Sequence, residues 1–157
     1  MRFIFYILVS LFVFGCVKKQ SKDPFPVIEY KGFTASSNGV KDTAVLVLGY
    51  EDGDGDIFRD NTSDGPNIVS TIYIYNSTLN QFFADTNIIT HDTTRYIQTI
   101  TQPGDGYKGK QVKGDIFWPM REFRPYPSAK IFYYKIFMID MKDHKSNVLK
   151  TPTFTVN

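Results

Sequence analysis

Apolar and polar residues alternate along most of this chain. The clearest case is residues 44–50, where Ala44, Leu46, Leu48 and Tyr50 share one face of an extended segment and Val45, Val47 and Gly49 the other. Both faces are apolar, which predicts a central strand. Residues 68–75 repeat the pattern, with Ile68, Ile72 and Ile74 opposed to Val69, Tyr73 and Tyr75. Residues 130–141 give the longest run, with Phe132, Tyr134, Ile136 and Met138 opposed to Ile131, Tyr133, Phe137 and Ile139. Shorter strands are predicted at 27–33, 81–84, 96–101, 111–118 and 148–156. Pro152 demotes the last to an edge or bulged strand.

Turns punctuate these runs at 76–80, 103–106 and 142–146, and a polar connection covers 85–94. Residues 118–127 read as a loop rich in proline, arginine and aromatic rings. No helical period is sustained outside the first fifteen residues, and no internal repeat is visible. About seven or eight strands over ~130 residues predict an all-β, single immunoglobulin-like or fibronectin-III-like antiparallel β-sandwich.

The N-terminus obeys another rule. Met1-Arg2 precedes an apolar run at 3–14, too short to span a bilayer, which takes about 20 residues. This is a signal-peptide layout. Cys16 is the only cysteine, so it has no disulfide partner within the chain. Val13-Phe14-Gly15-Cys16 resembles the lipobox of bacterial lipoproteins, in which the cysteine is acylated and becomes the new N-terminus. Phe14 is bulkier than the small residue usual there. The expected organisation is a lipoprotein signal peptide at 1–15, a lipidated tether at 16–26 and the sandwich at 27–157. Two or more acyl chains anchor stably where one would not. The formal net charge is +2 and drops by one with Arg2, so the overall balance draws the chain to neither nucleic acid nor an acidic surface.

Candidate chemistry is concentrated in Tyr50-Glu51-Asp52-Gly53-Asp54-Gly55-Asp56-Ile57. Asp52, Asp54 and Asp56 lie at every second residue, and the glycines between them allow a tight turn. Oxygen ligands at such spacing suit a hard cation, above all Ca²⁺. The EF-hand pattern is broken, with Ile57 at its glycine position and Ser63 at its closing glutamate. A solvated Asp/Gly turn is the alternative. Asp60 continues the acidity. If alternate loops of the sandwich share one end, Asp140 and Asp143 join the candidate ligands, with Asp105 nearby.

Two stretches together resemble a group of uncharacterised envelope lipoproteins of Bacteroidota with one immunoglobulin-like domain. One is the acidic segment after its strand. The other is Ile139-Asp140 followed by Asp143, Ser146-Asn147-Val148 and Thr151-Pro152. Phe58 replaces the glycine usual after the first motif, and His144-Lys145 replaces Gly-Asn in the second. The resemblance implies an envelope lipoprotein and supplies no enzymatic activity to carry over; the expected location is the outer membrane.

The residues agree in lacking a catalytic signature. His91 and His144 have no second ligand at metal spacing, and no nucleophile motif occurs. Glycoside hydrolysis needs two carboxylates with separated pKa values across a cleft, whereas these acids crowd onto one loop. Trp118, Phe123 and Tyr126 are candidate partner contacts, with cover for the sandwich core as the alternative. The expectation is a non-catalytic interaction or accessory module. It would be attached to the membrane by lipid and face the periplasm, with an envelope protein or glycan as partner and no nucleic acid. A glycan-active hydrolase and a structural spacer are its rivals.

Overall fold

The computed structural model describes residues 23–37, 42–87, 89–101 and 106–156. The leader, Cys16, most of the tether and Asp105 lie outside the described residues. The strands are β1 (Val27–Ser37), β2 (Asp42–Asp52), β3 (Ile68–Asn76), β4 (Gln81–Ala84), β5 (Arg95–Gln98), β6 (Val112–Arg121), β7 (Ile131–Met138), β8 (Leu149–Lys150) and β9 (Phe154–Thr155). A single 3₁₀ turn, Thr62–Asp64, interrupts the long connection after β2.

Two antiparallel sheets face each other as an immunoglobulin-like sandwich. The smaller is ordered β1-β2-β6. The larger is ordered β4-β3-β7-β8, with β5 also on β3 and β9 also on β7. The core lies between them. Ala44, Leu46 and Leu48 of β2 and Ile116, Trp118 and Met120 of β6 meet Ile68 and Ile72 of β3 and Phe132, Tyr134, Ile136 and Met138 of β7. β2 is central in its sheet, as its apolar alternation requires. Its second face points outward, however, leaving Val45 exposed and Gly49 beneath the Lys31–Glu29 ion pair.

Two local features were hidden from the alternation, and a third, at Pro152, was expected. β1 bulges between Tyr30 and Gly32, so Lys31 is an extra residue. The bulge shifts the parity and lets Ile28 and Tyr30 before it, and Phe33 and Ala35 after it, all pack on the core. β6 runs on through Pro119, which pairs with Val45, where a loop was expected. An edge strand tolerates proline because its outer side has no ladder to complete. The last strand is split into β8 and β9 around Pro152, both at the sheet edge.

The connection from β6 to β7 folds back onto the core. Phe123 is fully buried, and its carbonyl accepts the hydrogen bond of the Tyr134 hydroxyl. Burial holds that phenol far above its ordinary pKa. The bond resembles the tyrosine corner of immunoglobulin-like sandwiches, but its two partners stand eleven residues apart in the chain. Beside it, Arg124 is almost wholly buried and donates from Nε and Nη2 to the carboxylate of Asp42, at 2.5 and 3.2 Å.

These contacts correct the expectation for Trp118 and Phe123. Both rings are core, at 4% and 0% exposure, and cannot meet a partner while the domain is folded. Tyr126 alone of the three remains accessible.

Candidate metal centre

β2 carries its last residue, Asp52, into the end of the sandwich, where it pairs with Val112 of β6. Gly53 then begins a loop that cannot spread outward. Gly55 adopts φ +72°, and a Cβ on it would lie 2.1 Å from the Tyr107 carbonyl oxygen, so only glycine fits. Gly109 N–H donates to the Asp54 carbonyl, and Met141 N–H to the Asp56 carbonyl at 2.9 Å. The acidic loop is therefore clamped between the segment before β6 and the one after β7. This is the clustering of loops that sandwich order predicts.

Asn67 completes the clamp from beneath. It is fully buried, donating from Nδ2 to Ile57 O at 2.8 Å and Ile100 O at 3.1 Å and accepting from Ile100 N at 2.7 Å. Its own carbonyl takes Ile139 N–H. One residue thus ties three segments together. Nothing in its sequence setting, between Pro66 and an apolar run, marks it out.

The clamp converges Asp52, Asp54 and Asp56. One carboxylate oxygen from each lies within 4.8 Å of the others. Asp52 is wholly buried and Asp56 nearly so. Asp52 Oδ2 accepts the Ile57 N–H at 3.0 Å. Its Oδ1, and the Oδ1 atoms of Asp54 and Asp56, are buried and accept no hydrogen bond. Among the described residues Lys142 supplies the one cation, hydrogen-bonded to Asp54 Oδ2 and 3.0 Å from Asp56 Oδ2. Its ammonium reaches in from solvent, and no cation among the described residues pairs with Asp52.

The electrostatics follow from this geometry. Burial, and then the charges of Asp56 and Asp54, push the Asp52 carboxyl up to about 6. Burial also raises Asp56, helped by Asp54 and Asp140 and opposed by Lys142. For Asp54 the Lys142 ammonium overcomes burial, and its pKa falls below the usual carboxylate range. Hydrogen bonds to Asp54 and Asp56 raise Lys142 in turn. Three acids forced together with one partial counterion form a site that a divalent cation would satisfy.

The other acids expected here stand apart. Asp140 is wholly buried, but both its oxygens serve its own turn. Oδ1 accepts Lys142 N–H at 2.8 Å and His144 N–H at 2.7 Å, while Oδ2 lies 2.8 Å from His144 Nδ1. Asp143 is exposed, with φ +65°. Asp60 is exposed and paired with Lys108. Sandwich order brings these loops to one end without aiming their carboxylates at one point. Comparison with family models, with curated proteins and with solved structures returned no match to this chain.

Proposed function

We propose that this domain is a non-catalytic interaction or accessory module of the cell envelope. It is anchored by lipid on Cys16 and braced by a Ca²⁺ ion held by Asp52, Asp54 and Asp56. The observation that carries the bracing ion is the set of buried carboxylate oxygens without hydrogen-bond partners, while the anchor and the envelope role rest on the sequence. Such groups are costly to bury, and a hard cation is the ligand their chemistry selects. The ion would fasten the acidic loop at the end where the chain enters. β1 begins there, Val27 pairing with Glu51, and Phe25 packs on His144 with ring centroids 4.7 Å apart. That end therefore faces the membrane, since an extended tether of residues 17–24 reaches only roughly 25 Å at about 3.3 Å per residue.

The two clefts favour binding over hydrolysis. The cleft lined by Phe33, Phe123 and Phe154 carries no acid, and the one lined by Tyr50, Phe58 and Ile100 carries only Asp115. A glycosidase needs a pair. Val17 after Cys16, and the basic rather than acidic residues that follow, favour the periplasmic face of the outer membrane.

The anchor is tested by palmitate labelling in cells. Wild type should incorporate label, and Cys16→Ala should incorporate none and leave the membrane fraction. Undiminished labelling of that variant would overturn the lipid anchor.

A further inference from the structure

The larger sheet has an outer face whose charge the overall composition conceals. Its six strands contain no aspartate or glutamate, although the whole chain is almost balanced. On the outer face of the smaller sheet two of the cations lie beside acids, Lys31 2.6 Å from Glu29 and Lys113 3.7 Å from Glu51. Among the described residues, the strand cations of the larger sheet have no such neighbour.

The register makes this a line. Arg95 of β5 pairs with Thr71 of β3, Thr71 with Lys135 of β7, and Lys135 with Lys150 of β8. Cationic side chains thus cross the sheet at right angles to the strands, at about 5 Å per strand, with one threonine among them. Lys135 and Lys150 are directly opposite, an arrangement that destabilises a sheet. Among the described residues, neither has a carboxylate within ion-pair distance. Each lies instead over a ring, Lys135 Nζ 4.6 Å from Tyr73 and Lys150 Nζ 4.4 Å from Tyr133. Those two rings stack with centroids 4.9 Å apart.

From this face we infer a binding surface for an acidic polysaccharide, a chain of carboxylate-bearing sugars laid along the row Arg95, Thr71, Lys135, Lys150. Charge complementarity requires an anion. Three details favour sugar over peptide. The row lies across paired strands, so it offers no free backbone edge for strand addition. Its charged groups only donate hydrogen bonds, which suits carboxylates and hydroxyls and leaves peptide N–H groups without acceptors. The Tyr73 and Tyr133 faces are taken up by each other and by lysine, so the row itself presents no free aromatic ring to anchor a protein surface.

The inference deepens the reading of the domain as an interaction module by naming the partner class. It stands independently of the anchor, because palmitate labelling does not involve this face.

The test uses the full chain purified in a non-ionic detergent and polygalacturonate as probe. Neutral dextran, polyglutamate and a single-stranded DNA oligomer serve as comparisons. Polygalacturonate should bind, more weakly as salt rises. The variant Arg95→Gln/Lys135→Gln/Lys150→Gln should bind at least about tenfold more weakly with an unchanged or higher melting temperature, because like-charge repulsion is relieved. Lys31→Gln/Lys113→Gln, on the other sheet, should bind as wild type. If the triple variant melts lower, Lys150→Glu on the edge strand carries the same expectation. Equal binding by the triple variant or by Lys150→Glu would overturn the inference, as would equal loss in the opposite-sheet variant. Polyglutamate or DNA binding as tightly as the polysaccharide would assign the face to a different class of partner and overturn it too.

Discussion

Replacing Asp42 by alanine should destabilise the domain by about 3–5 kcal/mol, because it strands a buried guanidinium. Arg124 is 3% exposed in its side chain and Asp42 16%, and the two meet through a double hydrogen bond. Such a pair adds little net stability relative to a hydrophobic pair, since both charges lose their water. Removing one partner is another matter. Arg124 already has one buried nitrogen, Nη1, without a partner. Without Asp42 it must stay charged in the interior or pull the connection before β7 outward. That connection also carries Phe123 into the core and the carbonyl that receives Tyr134. Guanidinium denaturation of Asp42→Ala and of Asp42→Ala/Arg124→Met separates the two effects. The single variant should lose the full amount and the double variant should recover most of it. A loss below about 1 kcal/mol in the single variant would show that the pair is not buried as described.

Acidification should stabilise the cation-free protein, against the usual trend. The folded pKa of Asp52 is about 6, against an ordinary value of 3.8. The folded state therefore binds a proton that the unfolded chain releases between those values. The stabilisation from protonation is complete below the unfolded pKa and is lost as pH rises through about 6. A gap of this size corresponds to something on the order of 2–3 kcal/mol. Asp56, also raised, adds in the same sense. Asp54, lowered by Lys142, opposes it at the acid end. Bound Ca²⁺ reverses the dependence, because it holds the carboxylates as anions and protons compete with it. Melting curves from neutral pH down to pH about 5 should rise in chelator and fall in excess Ca²⁺. Curves that fall with acid in both would remove the strained carboxylate cluster.

Much of the architecture was legible because the domain is two-faced. The alternation of β2, β3 and β7 follows directly from one buried and one open side, and the turn residues between them mark the chain reversals. The bulge at Lys31 was invisible, since a period of two carries no sign of one inserted residue until register is known. Trp118 and Phe123 were misjudged for a related reason. Proline and arginine around them suggested an exposed loop, whereas β6 extends past Pro119 and the loop returns to the core.

The acidic cluster was half legible. The spacing of Asp52, Asp54 and Asp56 announced it, because local spacing and glycine fix a turn. Asp140 looked like a fourth ligand, but its oxygens are taken up by hydrogen bonds within its own turn, which residue type and spacing do not announce. Asn67 and Lys142 were missed because their roles depend wholly on tertiary position. The cationic row on the larger sheet was hidden for the same reason. Arg95, Lys135 and Lys150 are far apart in sequence, and the near-zero net charge gave no hint that the fold segregates them.

The most direct test of the cation-braced site is calorimetric titration of Ca²⁺ into the chelator-treated full chain, paired with melting curves and repeated on Asp52→Asn. Wild type should bind one ion per chain. Its stability should rise with free Ca²⁺, by about 2.7 kcal/mol once the ion is a hundredfold above its dissociation constant. Asp52→Asn should bind no ion yet melt higher than cation-free wild type, because the amide keeps the shape and removes the buried charge. Wild type that shows no binding heat and melts identically in Ca²⁺ and chelator would contradict the site and leave a solvated acidic turn in its place.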